Sequence, residues 1–171
     1  MQIMTDALTG LLRRNGYEPI LARLDDAEPV GVVLADLDRF KEVNDRFGHP
    51  VGEMVLIEIA RRVAEVAPPN SIVGRSGGDE FVVFLPGTAD ITVVQAVAVA
   101  LLRACDTPVL VDAWSIDQRV SVGVAIIPSR DLISRGGGSP VGMDDVYAAI
   151  VVARARGGAR AVCRNPEWEA Q

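Results

Sequence analysis

The sequence has little of what disulfide frameworks and histidine metal sites require. Its 171 residues include two cysteines, Cys105 and Cys163, and one histidine, His49. The cysteines lie far apart and fit no metal or redox spacing, which predicts reduced, partly buried thiols and a cytoplasmic chain. One histidine cannot build a metal site and no base flanks it, so His49 is interpreted as a structural residue at a helix junction.

Long apolar runs are also missing. The longest apolar window, residues 91–102, is interrupted by Gln95 and is too short to span a bilayer, so it predicts a buried amphipathic helix. Residues 1–16 carry an early acid, Asp6, and show no signal-peptide pattern. The formal net charge of -6 disfavours a general nucleic-acid or anionic-membrane surface, so we expect neither partner.

The hydrophobic content of 49% over 171 residues is ample for one packed domain and short for two. We predict one domain over residues 1–171, with a lead-in and first helix at 1–28, the core at 29–163 and a polar tail at 164–171. No internal repeat is visible. The glycine-rich segment 135–140 predicts a flexible loop within the domain.

Apolar periodicity predicts helices and strands in mixed order. Helical spacing marks residues 17–24, 40–47, 50–66, 90–104 and 144–156, and strand patterns mark 30–38, 71–74, 81–85, 109–111, 120–126 and 160–163. Because hairpins are interleaved with helices, this order predicts an α+β fold in which helices cover a mostly antiparallel central sheet.

The most apolar predicted strand ends with two acidic residues. The nearly continuous run 30–38 is typical of a central strand buried on both faces, and it ends on Asp36 and Asp38. Side chains two residues apart share one face of a strand, so the strand end rather than its middle must host both carboxylates.

A second acidic pair, Asp79 and Glu80, lies at the tip of a predicted hairpin. The pair follows Gly77 and Gly78, which we expect to take positive φ and to let main-chain atoms approach a ligand. Acids in such a place are costly to bury without a cation or a hydrogen-bonding partner, which predicts a metal or catalytic site. The alternative is a solvated hairpin turn without chemistry.

Asn44 and Glu53 lie on two consecutive predicted helices. Phe40, Val43 and Phe47 mark one face of the first helix, and Asn44 is expected to face away from Phe40 and Phe47. Glu53 is placed in the first turn of the second helix. It either complements the helix dipole or converges with Asn44 on a ligand between the helices, and both interpretations stay open.

Residues 36–49, DLDRFKEVNDRFGH, and 75–81, RSGGDEF, resemble the GGDEF domain of diguanylate cyclases. DALTGL at 6–11 and SVGVA at 121–125 are similar to further blocks of that family, so the resemblance covers nearly the whole chain. It implies a fold related to nucleotidyl cyclases and polymerase palms, with a ferredoxin-like core. It also implies condensation of two GTP molecules into cyclic di-GMP and pyrophosphate by a transient or stable homodimer, because two substrates must meet.

The resemblance implies a cation site at the acids. By the family pattern, Asp36, Asp79 and the backbone carbonyl of Leu37 bind Mg²⁺, or equally Mn²⁺, which neutralises the triphosphate. Asp79 is further implied as a group that activates the attacking 3′-hydroxyl. Glu80 is a candidate for a second-metal or positioning role.

The substrate contacts are carried over in the same way. The free amides near Arg39 and Phe40, at the start of a helix, are expected to meet the phosphates, with Lys41 as a phosphate or transition-state cation. Asn44 matches the family's guanine-binding asparagine, and Glu53 stands where the family has an aspartate. Glu53 is either a tolerated replacement or a change in base preference or binding strength.

The last helix departs from the family pattern. Arg154 stands where the family has a lysine that contacts phosphates, and Gly158 stands where it has an arginine with the same role. Either Arg156 or Arg160 reaches that space, or one cation is lost. The loss of one cation would weaken triphosphate binding by about 1–3 kcal/mol.

Two further departures bear on regulation and activity. Arg13 replaces an asparagine, which we expect to loosen the lead-in, and residues 68–71, PPNS, lack the Arg-x-x-Asp of feedback inhibition, so we predict no inhibitory site of that kind. No sensor or dimerisation segment is recognisable beside the domain, which favours a second hypothesis: a degenerate domain that binds GTP or a regulatory protein without turnover. A cyclase for ATP or mixed nucleotides is the third hypothesis, and it depends on Glu53 alone.

Overall fold

A computed structural model describes residues 4–133 and 142–163. The helices are α1 Arg14–Leu21, α2 Phe40–Phe47, α3 His49–Val66, α4 Ile91–Cys105 and α5 Met143–Ala155. The strands are β1 Pro29–Leu37, β2 Ile72–Arg75, β3 Glu80–Pro86, β4 Val109–Val111, β5 Trp114–Ile116, β6 Val120–Pro128 and β7 Ala161–Cys163. A 3-10 turn, Ser129–Leu132, follows β6. The predicted loop at 135–140 and the predicted tail at 164–171 lie outside the described residues.

The central sheet has the strand order β2-β3-β1-β6-β7. β1 pairs antiparallel with β3 and β6, β2 pairs antiparallel with β3, and β7 pairs in parallel with β6 at the edge. This confirms the α+β fold with a mostly antiparallel sheet. β4 and β5 form a separate hairpin. β5 was not predicted, because Trp114 and Ser115 are exposed and the three-residue strand has no apolar alternation.

β1 is the central strand because its side chains supply both hydrophobic cores. One face packs with α3 and α4 and the other with α1 and α5, so the sheet lies between two helical layers. The first face presents Val33, Ala35 and Leu37, and the second presents Val30, Val32 and Leu34. Burial on both faces explains the nearly continuous apolar run, as predicted.

Helix α5 lies close to β6 at Gly123. A Cβ at this position would lie 2.4 Å from the backbone oxygen of Val146, so a side chain there would push the helix off the sheet. This close packing brings the C-terminal end of α5, with Arg154, beside the end of β1.

The apolar window at 91–102 forms most of α4, whose buried face carries Val94, Val97, Ala98 and Leu101. Within residues 4–133 and 142–163, no helix combines the length and apolarity that crossing a membrane requires. Cys105 and Cys163 are buried, and neither forms a disulfide among the residues that the structure describes. α1 ends at Leu21, earlier than predicted, and Leu24 packs against the core from the following turn.

Asp6 ties the lead-in to the β2–β3 hairpin. Its Oδ1 accepts hydrogen bonds from the Thr9 amide at 3.0 Å and from Arg75 Nη1 at 2.8 Å. Arg75 Nε also donates to the Gly78 carbonyl at 3.2 Å, so one arginine joins the lead-in to the glycine turn. Arg13, expected to loosen this segment, instead donates to Asp6 Oδ2 at 3.1 Å.

Replacing Asp6 by asparagine is expected to destabilise the fold in a pH-dependent way. Burial opposes the charged carboxylate, but hydrogen bonds from Arg75 and Thr9 outweigh it and lower the pKa of Asp6 from 3.8 to about 2. Because the folded pKa lies below the unfolded value, this stabilisation is present above about pH 4 and is lost as the pH falls towards 2. Asp6→Asn should therefore lower the free energy of unfolding at pH 7 by about 1–3 kcal/mol.

Urea denaturation of the Asp6→Asn variant and the parent at pH 7 and pH 3 measures this difference. Asp106→Asn, which changes an exposed acid at the end of α4, is the matched control and should differ little from the parent. An equal loss at both pH values would show that the carboxylate charge is not the cause.

Candidate functional site

The predicted acids meet at the C-terminal end of β1. Asp36 is paired across the sheet with Glu80 on β3 and with Ser121 on β6. Asp79 comes just before β3, and its backbone carbonyl accepts a hydrogen bond from the Leu37 amide at 3.1 Å. The sheet register thus brings together residues that are more than forty positions apart in the chain.

Glycine is needed in the hairpin turn for a reason other than the predicted one. Gly77 and Gly78 do not take positive φ, so that prediction is wrong. A Cβ on Gly77 would instead lie 2.9 Å from Glu80 Oε2, because the carboxylate folds back over the turn. Ser76 Oγ at 3.4 Å and the Tyr147 hydroxyl at 3.3 Å donate to that same oxygen. Tyr147, on α5, was missed because no local pattern links it to the hairpin.

Asp36 has a strongly shifted pKa at this end of the sheet. Its pKa is raised from 3.8 to about 6, first by burial and also by the charges of Asp79, Glu80 and Asp38, while Arg154 acts in the lowering direction. The residue as a whole is 8% exposed. Several acids around a buried carboxylate produce a negative potential that favours a bound cation.

The Arg154 guanidinium is the cation that the structure places there. Its Nη2 donates to Asp36 Oδ1 and also to the Leu37 carbonyl, at 3.3 Å in the second case. Its Nε lies 3.7 Å from Asp38 Oδ1. Arg154 was expected at the phosphates, whereas the structure places it on two of the predicted metal ligands.

The oxygen donors at this end of the sheet fit a hard divalent cation. Asp36 and Asp79 offer carboxylates and Leu37 offers a carbonyl, the ligand types that Mg²⁺ and Mn²⁺ prefer. No three Asp, Glu, His or Cys side chains come together as a metal-holding group within residues 4–133 and 142–163. Water or phosphate oxygens would therefore complete the coordination, as is usual for Mg²⁺.

Asp38 connects β1 to β6 and to the loop after α5. Ser121 Oγ donates to its Oδ1 at 2.7 Å and the Ala159 amide donates to its Oδ2 at 2.9 Å. A Cβ on Gly158 would lie 2.8 Å from Asp38 Oδ2, and Gly158 has a φ of +70°. The glycine is thus required by both the backbone conformation and the nearby carboxylate. Ser121 was not predicted as a site residue.

The start of α2 offers main-chain donors. Arg39, the residue before the helix, has a φ of 54°, and no side chain caps the first turn. Phe40 is buried, whereas Lys41 is exposed to solvent. Uncapped amides at a helix start with an adjacent exposed cation fit the predicted contact with phosphates.

Asn44 faces α3 rather than solvent. A Cβ on Gly52 would lie 2.0 Å from Asn44 Oδ1 and 3.3 Å from the tip of the Phe40 ring, so both α2 side chains contact Gly52. The prediction that Asn44 faces away from Phe40 is therefore wrong. α3 begins at His49 and has no acid in its first turn, which corrects the predicted place of Glu53 and removes the basis for its helix-dipole interpretation.

This combination defines a class of protein: an α+β domain with carboxylates at the end of a central strand and on an adjacent Gly-Gly-Asp-Glu hairpin. The family model described as "Diguanylate cyclase, GGDEF domain" matches residues 3–134. The chain belongs to the GGDEF family, as its sequence motifs predicted.

Known relatives agree with this assignment. The diguanylate cyclase TpbB of Pseudomonas aeruginosa is 36% identical over 131 residues, which cover 73% of this chain and 30% of TpbB. The cyclic di-GMP phosphodiesterase PdeR of Escherichia coli is 32% identical over 129 residues, 74% of this chain and 19% of PdeR. The matched region thus spans less than a third of either relative.

Solved structures show the same fold. The GGDEF domain of TpbB (YfiN) from Pseudomonas aeruginosa superposes with a TM-score of 0.81 at 30% identity, covering 94% of both chains. The diguanylate cyclase SiaD of the same organism, solved with its activator SiaC, has a TM-score of 0.78 at 28% identity, covering 94% of this chain and 61% of SiaD.

Proposed function

We propose that this chain is a diguanylate cyclase that condenses two GTP molecules into cyclic di-GMP and releases pyrophosphate. The observation that carries the proposal is the convergence of Asp36, the Leu37 carbonyl, Asp79 and Glu80 at the ends of adjacent strands. Relatives named as diguanylate cyclases support the same reaction. A cytoplasmic location, where GTP is available, is part of the proposal.

Asp36, Asp79 and the Leu37 carbonyl would hold Mg²⁺ or Mn²⁺, and the cation would supply charge neutralisation of the triphosphate. The 3′-oxygen of each GTP attacks the α-phosphorus of the other, the bond from that phosphorus to the β-phosphate oxygen breaks in each case, and two pyrophosphates leave for each cyclic di-GMP formed. Asp79 accepts the 3′-hydroxyl proton or orients that hydroxyl, and Glu80, held by Tyr147, positions the reacting groups.

The remaining contacts hold the substrate. Amides at Arg39 and Phe40 donate to phosphate oxygens, and Lys41 adds a positive charge. Asn44 and Glu53 pair with the guanine edge, which disfavours adenine because the site's polar groups would be left unpaired. Since each chain carries one such site, two chains must face each other, so catalysis requires a homodimer.

The test is incubation of the purified chain with GTP and Mg²⁺ or Mn²⁺, with ATP in parallel, followed by chromatographic identification of products. Cyclic di-GMP that depends on the metal and is absent with a chelator is the expected result. The specific rate should rise with protein concentration in the range where the dimer forms. A product formed from ATP with equal efficiency would contradict the guanine assignment.

A second candidate function is a GGDEF domain that binds GTP or a regulatory protein without turnover. The observation that favours it is Arg154, whose guanidinium lies on the ligands that a catalytic cation needs. The diguanylate cyclase SiaD, solved with its activator SiaC, is a neighbour that binds a regulatory protein, although it is not an example of lost turnover. If calorimetry detects GTP binding and no product forms at high protein concentration, the result would favour this second function over the first.

Gly52→Ala is expected to weaken GTP binding without altering the carboxylates of Asp36 and Asp79. The added methyl would lie 2.0 Å from Asn44 Oδ1 and must displace that side chain from its place beside α3. Loss of the amide's contacts with guanine should raise the KM for GTP about 10-fold, which corresponds to a hydrogen-bond loss of about 1.4 kcal/mol. Steady-state kinetics measures this, with Met54→Ala as control.

Met54 suits this comparison because it is an exposed residue of α3, two positions from Gly52, and has no part in the proposed site. If the two alanine variants raise KM equally, Asn44 does not act through its position beside Gly52.

A further inference from the structure

A cavity of about 600 Å³ opens beside the acidic site, between α2, the segment around β5 and the loop after α5. Four arginines line it: Arg39, Arg46, Arg119 and Arg154. Asp38, Glu42 and Asp117 also line it. Asp38 accepts hydrogen bonds from Ser121 Oγ and the Ala159 amide, and Arg154 Nε lies 3.7 Å from its Oδ1, so this carboxylate already has partners in the protein.

Gly158 lies on the wall of this cavity, and its side-chain space is closed to an arginine. Asp38 Oδ2 would lie 2.8 Å from a Cβ there, and the φ of +70° disfavours any side chain. Arg156 and Arg160 do not line the cavity. Arg160 Nε instead donates to the Gly158 carbonyl at 3.2 Å on an exposed part of the loop.

Arg119 also lines the cavity, and hydrogen bonds hold its backbone. The Asp38 amide donates to the Arg119 carbonyl at 2.9 Å. The Gln118 amide group donates to both the Asp38 carbonyl, at 3.0 Å, and the Arg119 carbonyl, at 2.8 Å. Gln118 is 1% exposed, so these bonds hold the Arg119 backbone rigidly beside the start of α2.

The Arg119 guanidinium is available to a ligand. Its ion pair with Asp117, at 3.3 Å, joins two side chains that are more than half exposed, so little free energy opposes its exchange for another anion. Arg154 is held by Asp36, and Arg39 lies 3.9 Å from Glu42. Arg46 is stacked over the Phe47 ring at 4.9 Å, at the far end of α2.

We infer that Arg119 binds the terminal phosphates of the nucleoside triphosphate in this cavity and supplies, from the segment before β6, the cation that Gly158 cannot supply from the loop after α5. The inference rests on the proposed function, since it concerns the same substrate. A planar guanidinium donates to two phosphate oxygens at once, which suits it to a polyphosphate chain. The buried Gln118 Oε1, unpaired within the described residues, accepts from a water that accompanies the phosphates.

The experiment compares two nucleotides that cannot condense, 3′-deoxy-GTP and GMP, by calorimetry in the presence of Mg²⁺. Arg119→Gln is expected to weaken 3′-deoxy-GTP binding about 10-fold or more, in line with the loss of a charge-assisted contact, and to leave GMP binding unchanged. Arg119→Lys, which keeps the charge, should recover part of the loss. Arg103→Gln removes an exposed cation on α4 and serves as control.

Unchanged 3′-deoxy-GTP affinity in Arg119→Gln would overturn the inference while the proposed function stands. An equal loss for GMP and 3′-deoxy-GTP would also overturn it, because the residue would then act through the fold. Failure of the parent chain to bind either nucleotide would overturn both the inference and the proposed function.

Discussion

Asp79→Asn is expected to lower the rate of cyclic di-GMP formation by about 10²- to 10⁴-fold, the range for loss of a positioned acid–base group. The substitution removes the charge that would bind the cation and accept the hydroxyl proton, and it keeps the side-chain shape. It also keeps the backbone carbonyl that accepts the Leu37 amide. The catalytic loss should therefore appear without loss of fold.

Two measurements separate catalysis from folding in this variant. Product formation from GTP with Mg²⁺ reports the rate, and urea denaturation should give a free energy of unfolding within about 0.5 kcal/mol of the parent. Asp106→Asn makes the same chemical change on an exposed residue and should keep full activity. A rate for Asp79→Asn within a few-fold of the parent would remove Asp79 from the proposed mechanism.

Arg154→Gln is expected to change metal binding and turnover in opposite directions. The guanidinium donates to Asp36 Oδ1 and to the Leu37 carbonyl, two of the three proposed metal ligands. A cation must displace it from both, so its removal should tighten Mn²⁺ binding to the nucleotide-free protein about 10-fold, which corresponds to one charge-assisted hydrogen bond. Turnover should fall, because a displaced Arg154 is the natural partner for the substrate phosphates.

Calorimetric titration with Mn²⁺ measures the first effect, and steady-state kinetics with GTP measures the second. Arg160→Gln removes an arginine from the neighbouring loop whose Nε contacts only the Gly158 carbonyl among the bonds described, so it should alter neither. Mn²⁺ affinity that stays the same in Arg154→Gln would show that the guanidinium does not compete with a cation for these oxygens.

Much of the fold is encoded locally. β1 could be predicted because a strand buried on both faces must be apolar at nearly every position until its end, where Asp36 and Asp38 are placed. The long helices could be predicted because one face of each packs on the sheet. β5 could not, since a short exposed strand is defined by its hydrogen bonds to β4 and not by its composition.

The candidate site likewise contains residues that could be predicted from the sequence and residues that could not. The resemblance of the motifs and of their order to the GGDEF family identified Asp36, Asp79 and Glu80 as a group, whereas the glycine turn alone left a solvated hairpin open. The sequence could not predict which side chains contact these acids. Tyr147 on Glu80, Ser121 on Asp38 and Arg154 on Asp36 come from distant segments, and strand register and helix packing bring them together.

The direction of side chains shows most clearly why the sequence alone could not determine the geometry of the site. Periodicity assigns Asn44 to a helix but does not say which neighbour that helix meets, and the close approach of α3 at Gly52 turns Asn44 inward. Likewise, the resemblance to the family implies a missing arginine at Gly158, whereas the contact of Asp38 with the loop explains why glycine is needed there. Residue identity supplies the chemical groups, and packing between segments far apart in the chain sets the distances at which those groups act.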